Sequence, residues 1–248
     1  MTRPLVVGNW KMHGLSAQLA DIEALGVSMT DRPAKADVLI CPPFTLIERA
    51  ARIAGSFVAI GAQNCHHETS GTWTGEISAR MLKDSGASAV IVGHSERRQH
   101  QGESSERVAA KANAAVAAGL LAIICIGETQ AERAGGGALD ACAAQLSLSV
   151  PKGIAASAFA IGYEPLWAIG SGQVPTAAQI TEMHGHIRQC LVARLGASGN
   201  AVRIVYGGSV KPANARSILA LSDVGGVLVG GASLKPDEFE AIVRAAAP

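Results

Sequence analysis

Eight short stretches of this chain are apolar almost without interruption. They recur from one end to the other: LVVG from position 5, DVLIC from 37, FVAIGA from 57, AVIVG from 89, LAIICIG from 121, FAIG from 159, RIVYGG from 203 and GVLVGG from 226. A strand with one face in water alternates apolar and polar residues, so strands without alternation are covered on both faces, as in a parallel sheet. Between them lie Ala-rich or amphipathic pieces that read as helices. Examples are SERVAAKANAAVAAG (105–119) and TAAQITEMHGHIRQCLVARLG (176–196), with stops at Gly119 and Gly196. The last piece, KPDEFEAIVRAA, puts Pro236 and then Asp237 and Glu238 where a helix's first turn accepts a missing N–H and negative charge.

Eight β-then-α units with no Pro/Gly/Ser linker predict an α/β chain. The expected architecture is a single (β/α)8 barrel domain spanning 1–248, with eight parallel strands inside a ring of helices; an open doubly wound sheet is the alternative. The AGGG segment at 134–137 reads as a flexible loop. With 48% hydrophobic and 17% charged residues the chain has material for a large core.

The formal charge of +1 comes from scattered residues, which argues against a nucleic-acid or membrane partner and for a small molecule. No segment reaches the roughly 18 uninterrupted apolar residues of a membrane span, and the N-terminal run is too short for a signal-peptide core, so a cytoplasmic protein is expected. Five cysteines without C-x-x-C spacing fit reduced, buried thiols.

In a parallel barrel all strands end on one face, and the side chains just past those ends converge on one mouth. Asn9, Trp10 and Lys11 come after the first run, Gln63 and Asn64 after the third, His94, Ser95 and Glu96 after the fourth, and Glu164 after the sixth. Gly208 and Ser209 come after the seventh, and Gly230 and Gly231 lie at the end of the eighth. Taken singly, each has an ordinary reading: a surface carboxylate, a hydrogen-bonded core histidine, a solvated lysine, a tight turn. Their convergence points to chemistry. Glycine-rich turns after strands seven and eight suit phosphate held by backbone N–H groups, while the absence of P-loop and G-x-G-x-x-G patterns weighs against nucleotides. No metal is expected: there is no H-E-x-x-H, and the adjacent His66 and His67 would point to opposite sides of an extended segment. A carboxylate base, an imidazole and a phosphate site together suggest proton abstraction beside a carbonyl, with the imidazole and Lys11 stabilising an enediolate. Isomerisation is then the reaction class.

Six segments, GNWKMHG (8–14), GHSERR (93–98), CIGE (125–128), YEPLWAIGSG (163–172), YGGSVKPAN (206–214) and LVGGASLKP (228–236), occur in order along the chain. With them the sequence resembles the triosephosphate isomerases over essentially its full length. The resemblance implies a TIM barrel that interconverts dihydroxyacetone phosphate and D-glyceraldehyde 3-phosphate without a cofactor, in glycolysis and gluconeogenesis. It implies Glu164 as the base, a neutral His94 as the electrophile, and Lys11 with Asn9 as cation and polar contact. Glu96 holds Lys11 and His94 or shares protons with the intermediate. It assigns phosphate to Gly170, Ser209, Gly230 and Gly231. EPLW then becomes the rigid entrance and AIGSG the tip of a lid, with Pro165 restricting Glu164 before it. It also implies a homodimer in which the long 63–76 loop, with Thr74, reaches the mouth of a partner subunit; the plain alternative is a mobile surface loop. The chain departs from the usual pattern at His13 (generally Asn), Ser171 (frequently Thr), Gln173 (commonly basic) and Gly226 (often Asp). Another phosphate-binding barrel and a catalytically silent barrel remain as alternatives on sequence alone.

Overall fold

A computed structural model describes residues 3–169 and 173–246. The eight apolar runs form eight strands: β1 (Leu5–Asn9), β2 (Asp37–Cys41), β3 (Val58–Ala62), β4 (Ala89–Val92), β5 (Leu121–Ile126), β6 (Phe159–Tyr163), β7 (Arg203–Tyr206) and β8 (Gly226–Val229). All pair in parallel with their sequence neighbours, and β1 pairs with β8, so the barrel is closed and the open-sheet alternative is excluded.

The lack of alternation has a direct cause. Odd positions of β1 and β2, such as Leu5, Val7, Leu39 and Cys41, fill the barrel interior with Ile91, Ile123 and Val205. The intervening Val6, Val38 and Ile40 pack outward against the helices in a second, larger core. Two buried faces require apolar residues at every position.

The helices lie where their end signals put them. Ala177–Leu195 starts at Thr176, whose hydroxyl accepts from Gln179 N at 3.3 Å while Gln179 Oε1 accepts from Thr176 N at 2.8 Å, a reciprocal cap. Ser105–Ala117 and Pro236–Ala245 match the expected bounds within two residues. The AGGG segment is a loop, as expected, after Ala134. It joins the helices Gln130–Ala134 and Ala138–Ser149, and Gly135, Gly136 and Gly137 donate to Ala131, Arg133 and Glu132 carbonyls at 2.9, 3.3 and 2.9 Å. It is a hydrogen-bonded helix junction.

At the barrel seam Gly226 opens β8 with φ 149°, and a Cβ there would meet Leu5 O at 2.0 Å. Only glycine lets the last strand approach the first so closely. Among the described residues no helix is long and apolar enough to cross a membrane.

Candidate active site

The C-terminal ends of the strands surround a cleft of about 760 Å³. Asn9, Lys11, His94, Glu96 and Glu164 line it, facing Ser209, Gly230 and Gly231 across the opening. Gly170 falls outside the described residues, as does Ser171. Thr74 lies elsewhere, in the exposed 68–76 part of the 63–76 loop.

Glu164 sits immediately beyond β6. Its N–H donates to Ile126 O at 2.8 Å, and the residue is 2% exposed. Ser95 N donates to Oε2 at 2.9 Å and Ser95 Oγ to Oε1 at 3.0 Å. These two donors compensate the carboxylate for lost water. Ser95 opens the helix Ser95–Gln101, and His94 is its cap.

His94 Nδ1 accepts from Glu96 N at 3.3 Å. A nitrogen that accepts an amide N–H carries no proton, so the imidazole is the neutral tautomer with its hydrogen on Nε2. Nε2 faces Glu164 Oε1 at 3.1 Å. The ring therefore offers one N–H donor to the cleft.

Lys11 has φ 53°, an uncommon value for a residue with a side chain. Three contacts hold it. Its N–H donates to Asn9 Oδ1 at 3.0 Å, Gln63 Nε2 donates to its carbonyl at 2.8 Å and to Cys41 O at 2.9 Å, and its Nζ lies 2.6 Å from Glu96 Oε1. Burial alone would raise the Glu96 pKa, but the Lys11 hydrogen bond and charge outweigh it, so Glu96 is held below its ordinary value. Glu96 is thus the anion that aims Lys11. A Cβ on Gly230 would lie 3.5 Å from Lys11 Cε and 4.0 Å from Nζ, which places the ammonium beside the turn after β8.

Glycine turns complete the mouth. After β8 the chain enters a short 3₁₀ turn, Gly231–Leu234, closed by Ser233 N and Oγ on Gly230 O at 2.8 and 2.7 Å. The N–H groups of Ser209, Gly230 and Gly231 have no acceptor among the described residues. Free N–H groups beside an ammonium are suited to an oxyanion such as phosphate.

Two supports are absent from the sequence-based site. The sequence marks Gln63 only as a polar residue after the third run, yet it clamps the unusual Lys11 backbone. Glu128, fully buried, collects the entrance of the 163–172 segment. Its Oε1 accepts from Arg133 NH2 at 2.7 Å, Tyr163 OH at 3.1 Å and Trp167 Nε1 at 2.7 Å. The available signal was a carboxylate closing the buried CIGE run with an arginine five positions on. Tyr206 Oη is buried without a partner among the described residues and stands over Gly208, where a Cβ would lie 2.1 Å from it.

The 63–76 loop folds on itself. His66 N donates to Ile77 O at 2.8 Å, and the His66 ring stacks against His67 at 4.3 Å and Trp73 at 4.6 Å. The segment is bent here, so the two histidines share a side where an extended chain would separate them. Trp73 and Thr74 face solvent, as do Met12 and Leu15 after β1 and Phe44 after β2. Apolar side chains from three successive strand ends therefore share one face of the molecule.

The family model described as Triosephosphate isomerase matches residues 4–246. A triosephosphate isomerase of Afipia carboxidovorans is 54% identical over 244 residues, covering 98% of this chain and 97% of that protein. One from Ruegeria sp. (strain TM1040) is 53% identical over 247 residues, covering 100% and 99%. The crystal structure of triosephosphate isomerase from Bartonella henselae superposes with a TM-score of 0.92 at 43% identity, covering 98% of this chain and 99% of that one.

Proposed function

The chain belongs to the triosephosphate isomerase family and interconverts dihydroxyacetone phosphate and D-glyceraldehyde 3-phosphate, and from that premise we propose how its residues carry the reaction. This is a step common to glycolysis and gluconeogenesis. The observation that carries the reading is the pair formed by the Glu164 carboxylate and the protonated Nε2 of a neutral His94, 3.1 Å apart in one cleft.

Substrate phosphate binds the N–H groups of Ser209, Gly230 and Gly231, with Gly170 from the lid, and Lys11 balances its charge. The carbonyl oxygen then lies toward His94 Nε2–H and Lys11, and Asn9 adds a polar contact. Glu164 leaves Ser95, removes the proton beside the carbonyl and returns it to the neighbouring carbon. Between the two transfers, His94 and Lys11 stabilise the enediolate oxygen, and the hydroxyl proton changes oxygens: His94 Nε2 gives its proton to the former carbonyl oxygen and takes one from the neighbouring hydroxyl, which becomes the new carbonyl. Glu96 keeps Lys11 in place through the 2.6 Å contact. Covering the cleft with the 168–172 segment excludes water and limits loss of phosphate from the enediol. No cofactor enters this scheme.

The whole chain acts as one barrel domain in the cytoplasm, as a homodimer. The exposed apolar side chains Met12, Leu15, Phe44 and Trp73 on the mouth side support self-association through the 63–76 loop, with Thr74 at the partner's mouth. The test of the catalytic assignment is turnover of D-glyceraldehyde 3-phosphate in chelator by the wild type and by Glu164→Gln. The amide cannot take a proton, so kcat falls by about 10²–10⁴. Retention of wild-type kcat by the variant would remove Glu164 from the role of base.

A further inference from the structure

One side chain pins the turn after β7 from behind. Asn214 lies in the first turn of the helix Pro212–Leu219. Its Nδ2 donates to Ser209 O at 3.0 Å, and its Oδ1 accepts from Lys211 N at 2.8 Å. The amide has only one orientation that works, because Lys211 N–H can only donate and the Ser209 carbonyl can only accept.

Ser209 and Val210 line the catalytic cleft, whereas Asn214 lines a separate small cleft with Val174 and Pro175, beyond the trailing end of the lid. The Ser209 carbonyl is thus held toward Asn214 and away from the catalytic side. Across a trans peptide the C=O and the following N–H point in opposite directions, so the same bond sends the Val210 N–H away from Asn214 and restricts ψ of Ser209.

We propose that Asn214 is a positioning residue for the substrate's phosphate: by fixing the Ser209–Val210 peptide plane it presets the turn whose N–H groups meet the anion. The proposal rests on the reading of Ser209 as a phosphate ligand. Donors already oriented before binding spend no affinity on ordering themselves.

Asn214→Asp separates this role from helix capping. The carboxylate keeps an oxygen for Lys211 N and adds negative charge where a helix N-terminus favours it, but it has no donor for Ser209 O. Asn214→Ala loses both contacts. Each variant is compared with wild type on D-glyceraldehyde 3-phosphate, on D-glyceraldehyde, which lacks the phosphate, and for inhibition by inorganic phosphate. Both variants should lose about tenfold in kcat/KM for the phosphate ester, mainly through KM, the scale of one hydrogen bond. Inhibition by inorganic phosphate should weaken in parallel, while kcat/KM for D-glyceraldehyde stays within about twofold of wild type.

Wild-type behaviour of Asn214→Asp would make the side chain a helix cap and overturn the proposal. So would a loss confined to Asn214→Asp, which would be charge repulsion, or an equal loss on D-glyceraldehyde, which would be general damage to the site. Failure of inorganic phosphate to compete with substrate in the wild type would instead sink the phosphate site itself, and the proposal with it.

Discussion

Both carboxylate oxygens of Glu164 are held by one residue, Ser95, through its N–H at 2.9 Å and its hydroxyl at 3.0 Å. Ser95 is also the first residue of the helix capped by His94, so carboxylate and imidazole are referenced to the same helix end. A carboxylate parked on two donors must leave them to reach a substrate carbon, and the length of its side chain sets how far it travels. Glu164→Asp keeps the charge and loses one methylene of reach. Its kcat should fall by at least about 10²-fold with KM changed far less, since a misplacement near 1 Å carries that cost. Steady-state kinetics in both directions check this; an unchanged kcat would show that reach is not limiting.

The exposed face formed after the first three strands predicts the behaviour of Thr74→Arg. A guanidinium at the end of a loop inserted into a partner would be buried without a counter-ion. On the proposed homodimer, light scattering should give a dimer mass for the wild type and a monomer mass for the variant, with turnover reduced at least about tenfold as the displaced loop unsettles the mouth. A monomer with full activity would count against the homodimer and against its contribution to the site.

His184 predicts an acid-sensitive stability. It is fully buried, and its Nδ1 contacts Asp223 O at 3.1 Å, so Nδ1 carries the proton; Nε2 has no partner among the described residues. Burial, opposed by the Asp223 carbonyl, pushes its pKa down to about 4 from 6.5. Between those values the unfolded chain binds a proton that the folded one refuses. Stability therefore rises with pH across the window and is lost on acidification from 6.5 to 4, by roughly 3 kcal/mol at 1.36 kcal/mol per unit. His184→Asn retains an N–H for Asp223 O and should flatten that part of the curve. Urea unfolding of both proteins at several pH values tests it; parallel curves would assign the acid lability to other groups.

Thiol chemistry should be almost silent in the native protein. Cys41, Cys65, Cys125 and Cys142 are buried. Burial raises Cys65 to about 12, and Cys125 is raised well above its ordinary value by burial and by the Glu164 charge beside it. Cys190, partly exposed, is also raised by burial. Iodoacetamide at neutral pH should add slowly to Cys190 alone, and to all five cysteines after unfolding, as read by intact mass. Rapid addition to two or more sites in the native state would mean that the interior opens on the labelling timescale.

The barrel was legible because double-faced burial leaves an unbroken apolar run, and eight such runs allow few topologies. Candidate residues next to those runs could be named for the same reason: a strand end is visible in the sequence. The contacts that hold those residues were not. Ser95 and Glu164 are 69 positions apart, and Gln63 and Lys11 are 52 apart, so no local pattern ties either pair. Glycine content marked the loop at AGGG but not the three amide hydrogen bonds that hold it, because composition signals permitted freedom and not whether neighbours remove it. The condition set for the histidine pair at 66 and 67, an extended segment, is not met, because a bend brings the two rings together. Of the departures from the family pattern, His13 is exposed beside Met12; at 226 the φ of 149° and the Leu5 oxygen 2.0 Å from a Cβ leave no room for an Asp, so the departure expected at that position does not hold.

Closure of the barrel pairs Leu5 with Gly226, almost the first and last residues that the sheet uses. During synthesis β1 leaves the ribosome with one edge satisfied by β2 and the other bare. At about 5–20 residues per second it waits roughly 10–45 s for its second neighbour. For that interval the nascent protein is an open, incomplete sheet with an adhesive edge and an uncovered interior. The seam that makes the finished molecule edgeless is also the last bond of its assembly, and it places the period of greatest risk of misassociation on the ribosome, before β8 has been made.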